Sequence, residues 1–152
     1  MTVTAWRIVK ARHAATAFTG EGAARTGGRW NSRGVRMVYA STTLSLAALE
    51  TLVHLNPPVQ LPYVCFPIEL DADGVETVPS ADLPPEWRDE PGPVSTRLLG
   101  DRWVAAARTV ALRVPSVIIP SEFNILLNPQ HPDFGRLTLG PAQPFSFDPR
   151  LI

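Results

Sequence analysis

The chain has 152 residues, 45% of them apolar and 18% charged, and fourteen basic side chains balance fourteen acidic ones at a formal net charge of zero. That length suits one domain spanning residues 1–152, with a core large enough to dispense with disulfides. The balanced charge lacks the basic footprint of a nucleic-acid binder, and no apolar run nears the roughly 18 residues of a membrane span. From Val3 to Val9, Trp6, Ile8 and Val9 make a first strand. Ala11 to Arg33 shows no sustained period and carries Gly20, Gly22, Gly27 and Gly28, which predicts a long loop, usually functional at that length. Val35 to Ser41 is a β-branched and aromatic strand. Ser41, Thr42 and Thr43 then offer hydroxyl caps for a helix running to about Leu55, with Leu44, Ala47, Ala48, Leu52 and Leu55 as its buried stripe and Asn56-Pro57-Pro58 as its stop.

Tyr63 to Leu70 alternates as a strand, Asp71 to Gly74 turns, and Val75 to Val78 is expected to return as the second arm of a hairpin. Ala81 to Pro93 reads as a proline-rich surface connection. Two short helices, Ser95 to Leu99 and Asp101 to Arg108, are expected on either side of Gly100. Val110 to Val114 and Val117 to Ile119 are strand pieces interrupted by Pro115-Ser116. Asn124 to Gly135 is predicted to be turn-forming, and Phe145 to Phe147 gives a last strand. Sixteen prolines, about twice the usual frequency, favour short elements and sharp turns. The expected class is α+β, a small mixed fold of short strands with a few helices.

Four places hold chemistry-bearing side chains. Gly27-Gly28-Arg29-Trp30-Asn31 combines glycines, which let backbone approach a ligand, with a guanidinium fork suited to phosphate. The same residues also suit a glycine turn with a solvated arginine. Glu50 borders the apolar stripe of its helix, where a partly desolvated carboxylate can stabilise a developing cation; with His54 one turn on, it equally suits a surface i,i+4 pair. Ser116 breaks an apolar run and needs a partner if buried. The turn around Asn124, Asn128 and His131 reads first as a turn. Cys65 is the only cysteine and three histidines lie scattered, a poor set for a metal, so no metal site is expected and Cys65 is read as a small core residue. No signal-peptide pattern opens the chain, and the expected location is cytoplasmic.

The order of WR near the start, GGRWN, a strand ending VYAS, a helix carrying ALETLVHL and then LRVPSVIIPSEFNILLNPQHPDF resembles the RES-domain toxins, the toxin halves of bacterial toxin–antitoxin pairs. The resemblance runs from Trp6 to Phe147, although Pro58 to Arg97 contributes little to it. It implies a fold like that of ADP-ribosyltransferase toxins, NAD as the molecule acted on with no further cofactor, and a cognate antitoxin with a helix-turn-helix region as partner. It places the family arginine on Arg29, the glutamate on Glu50 and the serine on Ser116, with Ser121 as the competing choice, and it makes Tyr39 an aromatic of the nicotinamide pocket. Asn128 and His131 fall in a matching motif as scaffold. These residue types suit glycosidic cleavage of NAD, which asks for a carboxylate by the ribose, donors for the phosphates and an aromatic face for nicotinamide. Mono-ADP-ribosyl transfer to a protein and a non-catalytic binding module on the same fold are the alternatives. Arg25, Arg33 and Arg36 are candidates to assist capture by phosphate.

Overall fold

A computed structural model describes residues 1–54 and 61–151. Among the described residues eight strands form one mixed sheet in the order β4-β5-β6-β2-β1-β3-β7, with β8 pairing the same outer edge of β3. β1 (Thr2–Lys10) and β3 (Tyr63–Asp71) run antiparallel along nine paired residues, from Thr2 opposite Asp71 to Lys10 opposite Tyr63. β2 (Val38–Ser41) meets β1 at the Trp6–Ser41 pair and lies antiparallel to β6 (Phe123–Leu127), which in turn pairs with β5 (Ala111–Pro115). β7 (Thr138–Leu139) and β8 (Gln143–Phe145) are short.

Because strand side chains alternate, the sheet has two differently filled faces. Ala5, Val38, Ala40, Ile68, Ala111, Ile125 and Leu127 gather on one. On the other, Met37, Leu112, Val114 and Leu126 pack against Trp30 and Trp103. A third cluster, with Ile8, Tyr63, Cys65 and Phe147, lies under α2 (Leu44–Leu52) through Ala47. Cys65 is thus a core residue, and its burial raises the thiol pKa. Thr43 is the cap that α2 uses, its Oγ1 accepting the Leu46 N–H at 3.1 Å. The helix ends at Leu52, short of the expected Leu55, with Val53 and His54 already in a turn; Leu55 and the Asn56-Pro57-Pro58 stop lie outside the described residues.

Several expectations need correction. The stretch 11–33 is not one loop: it holds a 3-10 segment, Ala11–Thr16, and α1 (Glu21–Thr26), whose EGAART sequence can close a short helix without a strong apolar stripe. The Arg7 guanidinium pins this stretch to the sheet by donating to the carbonyls of Ala17 (2.6 Å) and Tyr39 (2.8 Å), and burial lowers its pKa to about 10. β4 (Val75–Thr77) does not fold back on β3; it crosses to the far edge and pairs with β5 in parallel. The two short helices are one, α3 (Val94–Ala106), running through Gly100. There the missing side chain has a packing reason, since a Cβ on Gly100 would collide with the Trp30 carbonyl. Val117 to Ile119 forms a bend instead of a strand, and Phe123–Leu127, assigned mostly to turn, is an interior strand of the sheet. No described helix is long and apolar enough to cross a membrane.

Candidate active site

β2, α2 and the β5–β6 connection converge where Glu50 emerges from α2. Ser116, fully buried just past the end of β5, donates from Oγ to Glu50 Oε1 at 2.7 Å. The same serine Oγ accepts the N–H groups of Ile118 and Ile119, each at 3.1 Å, so the bend at 116–119 is built around its side chain. Pro115-Ser116 therefore ends the strand and aims a hydroxyl at the carboxylate. Ser121, the competing serine, is exposed in the following turn. Two further polar side chains complete the cluster: Asn124 Nδ2 donates to Glu50 Oε1 at 3.0 Å, and Ser41 Oγ donates to Asn124 Oδ1 at 2.7 Å. The sequence reading joined neither to Glu50: it named Asn124 as part of a turn and Ser41 among helix caps. Their only signal is register, which becomes visible once β2 and β6 are known to pair.

The glycine segment forms a second wall. Tyr39 on β2 reaches beneath it, donating from its hydroxyl to Asn31 Oδ1 at 2.6 Å and accepting the Trp30 N–H at 3.1 Å. Gly28 permits this approach, because a Cβ there would sit 2.6 Å from the Tyr39 hydroxyl oxygen and 2.9 Å from Asn31 Oδ1. Asn31 is fully buried and donates from Nδ2 to the carbonyls of Ala23 and Val35 at 2.9 and 3.0 Å, which ties the loop to α1 and to the approach of β2. Burial pushes the Tyr39 phenol pKa up strongly.

Arg29 leaves this loop toward the segment before α3. Its Nη1 donates to the carbonyls of Trp87 and Asp89, both at 2.8 Å, and its Nη2 pairs with Glu90. Its carbonyl accepts the Thr96 hydroxyl at 2.7 Å. The proline-rich stretch, expected to be a plain surface connection, thus straps the arginine, a role its loop-like composition does not reveal. Burial lowers the Arg29 pKa, while the field of Glu50 is the largest of the charges that raise it. No hydrogen bond joins Arg29 to Glu50; what links them is the Glu50 charge acting on the guanidinium. A cleft of about 700 Å³ adjoins the strap, lined by Leu83, Pro84, Trp87, Pro115 and Phe123 among others.

The other candidates lie elsewhere. His131 Nδ1 accepts the Asp133 N–H at 2.9 Å, which leaves Nε2 to donate to the Ala107 carbonyl at 2.9 Å. Asn128 Oδ1 accepts the Gln130 N–H at 3.0 Å. These two side chains order the turn that closes against the end of α3, where Ala107 adopts a left-handed φ of 51°. Arg25 and Arg33 are exposed, and Arg36 lies 3.8 Å from Glu21 on the surface. Among the described residues no three His, Cys, Asp or Glu side chains converge as a metal set.

Residues 4–148 match the RES domain. The chain belongs to the RES-domain family. It is 40% identical over 149 residues to Toxin Res of Yersinia enterocolitica, covering 96% of this chain and 97% of that one. It is also 40% identical over 159 residues to the Prs ADP-ribosylating toxin of Sphingobium sp., covering 100% of this chain and 98% of the other. A chain in the crystal structure of the M. tuberculosis MbcT–MbcA toxin–antitoxin complex shares the fold at a TM-score of 0.75 and 18% identity, over 96% of this chain and 85% of that one. This RES domain is a toxin of the α+β architecture expected from its sequence.

Proposed function

We propose that this RES toxin arrests growth by cleaving the nicotinamide–ribose bond of NAD. The observation that carries the reading is Glu50, fixed by the buried Ser116 at 2.7 Å and by Asn124 at 3.0 Å. Breaking that bond builds positive charge on the ribose, and a carboxylate held beside it stabilises the transition state more than the ground state. Nicotinamide leaves from a nitrogen that is already cationic, so the site needs no acid at the leaving group. Arg29 supplies the guanidinium for the pyrophosphate, in exchange for the exposed carboxylate of Glu90 that it holds here. Tyr39 supports the reading through the loop it anchors, and in this reading its ring also meets nicotinamide, as the family resemblance implies. Ser116 acts on Glu50 and not as a nucleophile, its lone pairs being engaged by two backbone N–H groups.

Capture of the ribosyl cation by water or phosphate is the favoured second step, since LAALETL offers Ala48 two residues before Glu50, where a protein-modifying transferase often carries a second acid. Transfer to a protein is the second reading, and the ADP-ribosylating relative from Sphingobium favours it. The partner is a cognate antitoxin bearing a helix-turn-helix region; the fold shared with a toxin–antitoxin complex supports an antitoxin. Occlusion of the Arg29 side of the site by an acidic or terminal carboxylate would silence the toxin in competition with NAD.

The test is incubation of purified protein with NAD, with and without phosphate, followed by mass spectrometry. Free ADP-ribose marks hydrolysis, its phosphate ester marks phosphorolysis, and a labelled protein marks transfer. Glu50→Gln should lose at least about a hundredfold in kcat while remaining folded. Undiminished NAD consumption by that variant refutes the reading.

A further inference from the structure

Glu50 takes both of its hydrogen bonds on one oxygen. Ser116 Oγ and Asn124 Nδ2 converge on Oε1 at 2.7 and 3.0 Å, and among the described residues no donor meets Oε2. The first bond has a fixed direction: the Ser116 hydroxyl already accepts two N–H groups, so only its proton is left for the carboxylate. The second is different, because an asparagine amide can turn over and present its oxygen instead of its nitrogen. Ser41 decides this. It is 2% exposed, stands directly opposite Asn124 in the β2–β6 ladder, and donates to Oδ1 at 2.7 Å, which holds the NH₂ toward Glu50.

We propose that Ser41 and Asn124 are positioning residues of the active site: a relay from the Ser41 hydroxyl through the Asn124 amide that fixes the plane of the Glu50 carboxylate and reserves Oε2 for the ribose. The inference rests on the reading of Glu50 as the carboxylate of the transition state. Two convergent donors on one oxygen remove the half-turn that would exchange the two oxygens, so the free one meets the substrate already oriented. Such preorganisation acts on the chemical step and leaves ground-state binding to the arginine side.

Asn124→Ala, Ser41→Ala, the double variant, Asn124→Asp and Glu50→Gln test it, each assayed for NAD consumption, for growth arrest on induction and for a cooperative melt. Asn124→Ala should lower kcat by about 10- to 100-fold, below the loss on removing a direct contact, with KM changed less than about twofold. Ser41→Ala should lose less, in kcat also, and should add nothing in the Asn124→Ala background because both act through one amide. Asn124→Asp sets a second carboxylate against Glu50, where the amide now donates at 3.0 Å. That variant should be inactive at neutral pH and recover as acid protonates the new side chain into a donor, a rescue that a residue merely holding strands together does not give. A folded Asn124→Ala protein with undiminished kcat, or additive losses in the double variant, overturns the relay.

The possible failures separate. If Glu50→Gln is inactive and Asn124→Ala is not, the relay alone falls. If Glu50→Gln stays active in both assays, the assignment of Glu50 falls and takes the relay with it. If growth arrest depends on Glu50 and Asn124 while NAD is untouched, the relay stands and the NAD reading falls.

Discussion

Because the Tyr39 hydroxyl both donates to Asn31 and accepts from the Trp30 N–H, Tyr39→Phe leaves a buried amide oxygen and a backbone N–H short of a partner. A loss of about 1–3 kcal/mol in stability should follow, read from denaturant melts. Resemblance alone presents Tyr39 as a ring for nicotinamide; the geometry adds a hydroxyl that shapes the Arg29 loop. Burial also sets the sign of a pH effect. With the phenol pKa raised above its ordinary 10.0, the folded chain keeps a proton that the unfolded chain releases at alkaline pH. The stabilisation is full below about pH 10 and is lost as pH climbs beyond it. The gap between wild type and Tyr39→Phe should therefore narrow in melts taken from about pH 9 to pH 11. Arg29→Lys is expected to raise KM for NAD by about tenfold with a smaller change in kcat, since an ammonium cannot span the two strap carbonyls and a phosphate together. Steady-state kinetics beside calorimetric NAD titration would check it.

Among the elements, what the sequence made legible was what local chemistry decides. Thr43 caps α2, and the spacing of Leu44, Ala47, Ala48 and Leu52 buries one side of it. The strands at Thr2–Lys10, Val38–Ser41, Tyr63–Asp71 and Ala111–Pro115 are compositionally plain. The failures were decided by distant partners. NILL was hidden by the NPQHP turn that follows it, and only pairing on both sides makes it an interior strand. Gly100 looked like a helix break because its actual neighbour, the Trp30 carbonyl, lies seventy positions earlier in the chain. For the site, Glu50 and Ser116 were visible as residue types, whereas Ser41 and Asn124 needed a register and the Arg29 strap needed a loop conformation. The helix–loop contact carries its own prediction. In an isolated helix Gly→Ala gains up to about 1 kcal/mol, but Gly100→Ala must push α3 away from Trp30 and should instead destabilise by more than about 1 kcal/mol. It should also weaken NAD binding through the displaced Arg29 loop. Thermal melts and NAD titration of this one variant would show both effects or neither.

For the whole molecule, β6 joins what would otherwise be separate halves. Ile125 and Leu127 belong to the cluster on one face, Leu126 to the other, and all three are fully buried. Leu126→Ala should cost about 2–5 kcal/mol and lower Tm accordingly, and it removes packing beneath Tyr39, its cross-strand neighbour. The position of this strand in the chain matters as much as its packing. β2 is complete at residue 41 and β5 at residue 115, yet the strand that lies between them ends only at residue 127. A chain emerging from the ribosome at about 5–20 residues per second has already exposed Arg29, Tyr39 and Glu50 when the neighbour that joins β2 to β5 is still unmade. Until that neighbour arrives Glu50 has no Asn124, and Ser116 has no ladder to hold its bend. The site is therefore completed only when β6 is made, and a chain that stops short of residue 124 lacks the amide that holds Glu50.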